Sequence, residues 1–524
     1  MTPWRARRLR RLLALWGPLV AISAASFVIA ILAWRHIEST SSTAERFQRA
    51  WSNDDNDVAE QIAWKMVRAH PSSIRWWIRF TDAHSDVVDS EQASAISEPA
   101  IRNQLAKVND TSTSAIESYW YALKMKSGDP NPASVLPLAN ANPPVPFANY
   151  VLAVAAGEKK DWRTSALRYE REAFASSDIS EICLYRTLRS WMELKNWEEF
   201  RRRVHDPRYA PAVDASVHLY LAIHDRDLLG ALLWLWPSSY AGVSVWPVAL
   251  ALIAAALWFW IATRLGRIHD SERGRAMLYI TSFVLGVLSV YPTLLTITIE
   301  EDVFSLQQLH RFAPDLIYFT FGVGLREEAW KTILFLPLLP ALLRRGSRIE
   351  AMTCGALVGL GFAAEENISY FEHGADVALG RFLTANFLHM SLTALVALAA
   401  FDTLRKRATA RDAFNVVFPL AVAIHGAYDF FLETDDMPLS SVFSIVLLVI
   451  IARRFLRQLL IASSREDERD VLNLFVAAMA TINGAAYIYA TTLSGPTEAF
   501  RMIALGTVSV AVVIIVFVRE LSPS

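Results

Sequence analysis

An all-α polytopic membrane bundle of about ten transmembrane helices, with a helical domain outside the membrane after the first of them, is the fold class this sequence predicts. Three observations predict it. The chain of 524 residues is 53% hydrophobic and only 20% charged, with 17 Trp and a mean hydropathy above zero, which is too apolar for an ordinary soluble enzyme. Its apolar residues gather into stretches of about 20 residues with few charges. The charges between those stretches change sign from loop to loop. Lys plus Arg number 51 against 52 Asp plus Glu, a formal charge of -1, so no nucleic-acid partner is expected. Disorder, a collagen-like repeat and a disulfide scaffold are excluded by the same composition. Cys183 and Cys354 fall in segments of unlike polarity and are not expected to pair.

The first apolar stretch, Leu12 to Trp34, follows Arg5, Arg7, Arg8, Arg10 and Arg11. Basic residues stay on the cytoplasmic side, and the run exceeds the roughly 7–15 apolar residues of a signal peptide. Residues 1–34 therefore read as an uncleaved anchor with its N-terminus inside. Residues 35–226 are polar with periodic aromatics and would lie on the far side. Within 227–242, the stretch Leu228 to Tyr240 is apolar but interrupted by Pro237 and serines, which predicts a Trp-rich anchor at the interface. Hydrophobicity resumes over 243–460, with spans at 243–264, 276–297, 315–343, 351–370, 382–402, 413–432 and 440–458. Two more, at 471–491 and 500–518, fall in 461–524.

Loop charge tests this threading independently. Alternate loops carry Arg264, Arg267, Arg273 and Arg275; Arg344, Arg345 and Arg348; Arg405, Lys406, Arg407 and Arg411; Arg453, Arg454 and Arg457; and Arg519. The opposite loops carry Glu300, Glu301 and Asp302; Glu372 and Asp376; Glu433, Asp435 and Asp436; and Glu498. The asymmetry places both termini in the cytoplasm and residues 35–226 outside.

The outside domain reads as helical. Asp161, Trp162, Ala166 and Tyr169 fit the first helix of a tetratricopeptide repeat, and Trp197 returns close to that repeat's period. Ala59, Ala63 and Pro71 fit its second helix and terminating proline. The proline-rich stretch Pro130 to Pro146 is expected to split such an array into two lobes. Arrays of this kind bind a peptide or protein ligand.

Most predicted spans are free of charge at their centres, but four are not. They carry Glu327, Glu328 and Lys331; Glu365, Glu366 and Asn367; His389; and His425 with Asp429. Ionisable groups are costly in hydrocarbon and usually face a bundle interior as part of a site. At about 1.5 Å per residue, Glu327 lies roughly 25 Å from Arg344, Glu366 about 24 Å from Glu350 and His425 about 21 Å from Arg411. His389, about 12 Å from Arg381 at the outer face, comes to about 18 Å above the inner boundary of a ~30 Å core. All four converge in the outer half of the bilayer. Glu327 and Lys331 share a helical face, as do His425 and Asp429. Adjacent carboxylates beside a lysine suit a general acid and base that activate water. Two histidines can complete a zinc site with a carboxylate or donate to a tetrahedral oxyanion. Ser391 is expected on another helical face from His389, and Cys354 lies about a turn or more below the site, so neither is a candidate nucleophile.

At these residues the sequence resembles the PrsW family of intramembrane proteases, similar in turn to CAAX prenyl proteases and bacteriocin-processing membrane proteases. The matching pieces are Glu327 to Lys331 (EEAWK), Gly361 to Asn367 (GFAAEEN), His389, and His425 to Asp429 (HGAYD), over roughly residues 275–460. Lys331 and Asp429 stand where the CAAX proteases carry arginine and asparagine, which makes PrsW the closer relative. The resemblance implies hydrolysis of single-pass membrane substrates near the extracytoplasmic face, as in site-1 cleavage of an anti-sigma factor, in a bacterial plasma membrane. It also implies a catalytic set of Glu327, Glu328, Lys331, Glu366, Asn367, His389, His425 and Asp429, with His389, His425 and Glu366 as ligands if the enzyme holds zinc. In that assignment Glu327 activates water, Glu328 and Lys331 tune it, and Glu366, Asn367 and Asp429 orient the histidines or the substrate carbonyl. A metal-free, glutamate-based mechanism fits the same residues. An ion-coupled transporter would instead show inverted repeats and broken helix pairs, and no such symmetry is visible; a silent receptor would leave the buried charges dispensable.

Overall fold

The computed structural model describes residues 3–52, 55–89, 94–125, 132–175, 179–265, 273–304, 306–407, 409, 411–433, 440–460 and 465–521. Among them the secondary structure is helical throughout, with no strand. The chain forms two compact units, Glu38–Ala241 and the combination of Met1–Ile37 with Gly242–Ser524.

In the unit Glu38–Ala241, successive helices pack on one another: Asn56–Ala69 on Ile74–Asp89, Ala148–Glu158 on Trp162–Ala175, and the latter on Ser180–Glu193. Ala59, Ala63 and Ala166 are fully buried, small residues where helices approach closely. Trp162 and Trp197 each open a helix, but the helix Trp197–Val204 is short and gives way to a 3-10 turn at Pro207–Ala212, so the 35-residue interval is not followed by a second full repeat. The proline stretch interrupts long helices, as expected, but does not divide the core into two lobes. Val135 and Ala139 inside it are fully buried, and Trp120 before it packs on Tyr150 after it at 6.1 Å. Leu228–Ser239, predicted as broken, is a helix that runs through Pro237 and packs on Ala215–His224 through Ala231 and Leu235. Leu228, Leu229, Leu233 and Trp236 remain exposed on its other face.

The second unit is a multi-pass membrane bundle. Among the described residues, six of its helices are long and apolar enough to cross a bilayer: Gly17–Thr40, Val245–Arg264, Arg275–Ile297, Ala378–Leu404, Phe414–Glu433 and Val471–Ser494. A seventh candidate is the pair Pro496–Ser509 and Ala511–Leu521, bent by 57°. The predicted span 315–343 is not one straight helix. It runs through Phe312–Ile317, a π-helical turn at Tyr318–Gly324, Leu325–Phe335, a 3-10 turn at Leu336–Leu338 and Leu339–Arg345. Pro337 and Pro340 account for the second break, since each removes a helical donor. Residues 351–370 lie within the continuous helix Arg348–His373, opened by a Ser347–Glu350 capping box. Residues 440–458 lie within Ser440–Leu460.

Arg348–His373 and Ala378–Leu404 form the centre, and 94% of the apolar stretch of the latter is buried. Their backbones approach to the limit. A Cβ on Gly359 would stand 2.2 Å from the carbonyl oxygen of His389, so only glycine allows this contact. At one end of the unit, ion pairs join the loops that the alternation grouped together: Arg275 with Glu350 at 2.9 Å, Arg348 with Asp402 at 2.8 Å and Arg454 with Asp412 at 3.2 Å. Both cysteines are buried and unpaired.

In the unit Glu38–Ala241, Glu117 is buried with neither carboxylate oxygen hydrogen-bonded. Burial, assisted by the charge of Asp110, pushes its pKa up to about 8. The native state therefore holds this proton more tightly than the unfolded chain, and the stability it contributes is lost as pH rises through that value. Thermal unfolding of the full chain between about pH 5 and 8 should show this loss, and Glu117→Gln should flatten it. An unchanged slope in the variant would assign it to other groups.

Candidate active site in the membrane bundle

Four helices supply the site. Leu325–Phe335 leaves the π-helical turn and brings Glu327, Glu328 and Lys331. Arg348–His373 brings Glu366, Ala385–Leu404 brings His389, and Phe414–Glu433 brings His425 and Asp429. The glycine after His425 has a steric role, because a Cβ on Gly426 would stand 2.4 Å from the Cα of Thr320 in the π-helical turn. That close approach lets the helix of His425 lie directly against the turn that leads into the glutamate helix.

Lys331 is the hub. Its Nζ donates to Glu328 Oε1 at 2.8 Å and Glu327 Oε2 at 3.4 Å, lies 2.7 Å from His389 Nδ1, and sits 4.1 Å from the centroid of the Phe362 ring. An ammonium only donates, so His389 Nδ1 accepts and its Nε2 carries the proton offered to Glu366 Oε2 at 3.1 Å. His425 faces carboxylates on both sides. Its Nδ1 is 2.9 Å from Glu328 Oε1, and its Nε2 is 3.3 Å from Asp429 Oδ2 and 3.5 Å from Glu327 Oε2. The two imidazole rings are 5.0 Å apart, edge to face.

A cavity of about 710 Å³ opens onto Glu327, Glu366, Arg381, His389, His425 and Asp429. Glu328 and Lys331 lie behind this wall, both fully buried. Of the predicted set, Asn367 alone stands away from the cluster: it donates to Asn386 Oδ1 at 2.5 Å and accepts from Arg381 Nε. Ser391 turns back to the carbonyl of Phe387, and Cys354 is buried in the core.

Arg381 is the group that the sequence did not single out. Its Nη2 bonds Glu366 Oε2 at 3.0 Å, and its guanidinium lies 3.5 Å from the centroid of the Tyr370 ring. It had served only to mark the outer face. Its signal was isolation, since it is the sole charged residue between Asp376 and Asp402.

Residues 274–454 match the family described as PrsW family intramembrane metalloprotease. This segment is a PrsW-family domain. It covers about a third of the chain, holds all four charge-bearing helices, and leaves the unit Glu38–Ala241 and the last helices outside. No curated protein and no solved structure matches the chain.

The residues of the PrsW domain fit a divalent metal. Glu327, His389 and His425 each place one ligand atom within 4.8 Å of the others, a nitrogen and oxygen donor set that suits zinc. Four carboxylates, Glu327, Glu328, Glu366 and Asp429, face two fixed cations, Lys331 and Arg381, which leaves two negative charges for a divalent cation or two protons to balance. His389 would have to release Lys331 or Glu366 to become a ligand. Glu366 lies outside the three-donor group, engaged by Arg381 and His389.

Removing Lys331 strands carboxylates in the interior. Lys331→Met should cost about 3–5 kcal/mol of stability in detergent, as expected when one member of a buried pair is lost. The double variant Lys331→Met/Glu328→Gln should recover much of it by denaturant unfolding. No recovery would mean that lost packing, rather than an uncompensated charge, causes the damage.

Proposed function

We propose that this protein is an intramembrane endopeptidase that cleaves single-pass membrane proteins near the extracytoplasmic face, with Glu327 as general base. The observation that carries this reading is the division of the glutamate pair: Glu327 lines the cavity, whereas Glu328 is sealed behind it against Lys331 and His425. A carboxylate that meets water and a neighbour that holds its helix in place are what hydrolysis requires.

Glu327 takes a proton from water as the water oxygen attacks the scissile carbonyl, and returns it to the leaving amine when the C–N bond breaks. His389 and His425 line the same cavity, and the Nε2 edges that face Glu366 and Asp429 at rest would have to turn from those carboxylates to donate to the oxyanion, which develops only in the transition state. Glu366 and Asp429 hold those rings by the contacts at 3.1 and 3.3 Å. Arg381 in turn holds Glu366, and Asn367 steadies Arg381. Zinc held by Glu327, His389 and His425 would instead supply Lewis-acid polarisation of the carbonyl, with Glu327 as a ligand and not as the base.

The ten-span threading, with both termini in the cytoplasm and the site in the outer half of a bacterial plasma membrane, is part of this proposal. The loop ion pairs support it, since they lie at the far end of helix Arg348–His373 from Glu366. A tetratricopeptide-like unit at Glu38–Ala241 would bind a peptide or protein ligand, and a regulatory, anti-sigma-like protein is the kind of substrate such a unit could select. Trp162 at the start of its helix, with Ala166 and Tyr169 buried along it, supports that reading.

Co-expression with a library of single-pass reporters tests the proposal. Glu327→Gln should lower cleavage by about a hundredfold or more, and persistent cleavage in that variant would sink the assigned role. Zinc analysis of the purified protein and of His389→Ala tests the ligand set; stoichiometric zinc in the variant would remove His389 from it.

A further inference from the structure

The cavity has one wall that the PrsW domain does not supply. Gly506, Ser509, Val510 and Val513 line it, and all lie beyond residue 454, where the family match ends. They belong to the pair Pro496–Ser509 and Ala511–Leu521, and Val510 stands at the break where the pair bends by 57°.

This wall is fixed to the catalytic helices. Phe517 packs edge-on to Phe387 at 4.6 Å, two residues before His389, and stacks on Phe475 at 5.3 Å. A Cβ on Gly506 would come 2.8 Å from the carbonyl oxygen of Asp376, and one on Gly380 would lie 3.8 Å from Val510 Cγ1. The bend therefore faces the segment that carries Arg381. The cavity is polar at the glutamates and histidines and apolar at Val510, Val513, Leu388 and Leu448.

Those two surfaces suit a peptide whose backbone meets the charged groups while a side chain meets the apolar wall. A transmembrane helix keeps its carbonyls in its own hydrogen bonds, and about 710 Å³ holds a few residues rather than a span of about 20. A short unwound stretch of a membrane-spanning segment would meet both limits. We propose that Val510, at the bend of the last helix pair, sets the size of the substrate side chain accepted beside the scissile bond. This inference rests on the protease reading above.

The test uses the full chain in membranes and single-pass reporters that differ only in a block of Ala, Leu or Phe at either end of the span. Val510→Trp should lower cleavage of the Phe reporter relative to the Ala reporter by roughly tenfold, and Val510→Ala should move the ratio the other way. The ratio is taken within each variant, so a lower yield of folded protein does not move it. In a Glu327→Gln background, benzoylphenylalanine at position 510 should crosslink the reporter, and at position 508, where Val508 is 71% exposed, it should not. Unchanged ratios and no crosslink from position 510, while cleavage still depends on Glu327, would overturn the inference and leave the protease reading standing. An absence of Glu327-dependent cleavage for every reporter would overturn that reading and this inference with it.

Discussion

A single buried ammonium makes the rest of the site possible. Four carboxylates in a low-dielectric bundle would repel one another and pull the helices apart or stay protonated. Lys331 sits among two of them and a histidine with no exposure to solvent, so its charge offsets theirs where no water can. Because it leaves the same helix as Glu327 and Glu328, at i+4 and i+3, one turn of helix carries both the charges and their compensation. His389 and His425 then reach this cluster from two other helices, and their positions follow from it.

Helix packing brings those histidines within reach. Gly359 lets the backbone of the His389 helix touch that of the Glu366 helix, and Gly426 lets the His425 helix touch the π-helical turn. Contacts between backbones leave little room for sliding, which suits a site where a shift of about 1 Å is costly. At the other end of the bundle, the half-buried Arg275 and the exposed Arg348 pair with the buried acids Glu350 and Asp402 across loops. These pairs close the end where no chemistry is proposed.

Legibility in the sequence followed the rarity of charge in hydrocarbon. Glu327, Glu366, His389 and His425 stood out because their neighbours are apolar, and helical rise alone brought them to one depth. Asn367 carried the same signal but supports Arg381 instead of the cavity, since residue type does not specify which side of a helix meets the void. Arg381 was passed over because an arginine near a loop normally marks a membrane edge. The break in 315–343 was invisible at its π-helical turn, where Tyr318 to Gly324 read as ordinary span residues. Likewise Val510 and Gly506 carry no chemistry, and only the fold brings them to the cavity. In the unit Glu38–Ala241, helicity and the buried alanines were legible, but prolines could not reveal that Val135 and Ala139 tie the core together.

The π-helical turn at Tyr318–Gly324 carries a further consequence for how the glutamate pair is used. A π turn accommodates a surplus residue in the α-helical ladder, so everything after it is rotated by about 100° from where an unbroken helix would place it. Deleting one residue from that turn would restore the simple ladder and leave the frame beyond it unchanged, whereas straightening the turn with all its residues kept would shift the frame by one. Arg326 would then stand where Glu327 stands, Glu327 where Glu328 stands, and Trp330 where Lys331 stands. A guanidinium would face the cavity, and no ammonium would remain behind it. The surplus residue thus sets the one frame in which a carboxylate meets the cavity and the lysine stands behind it.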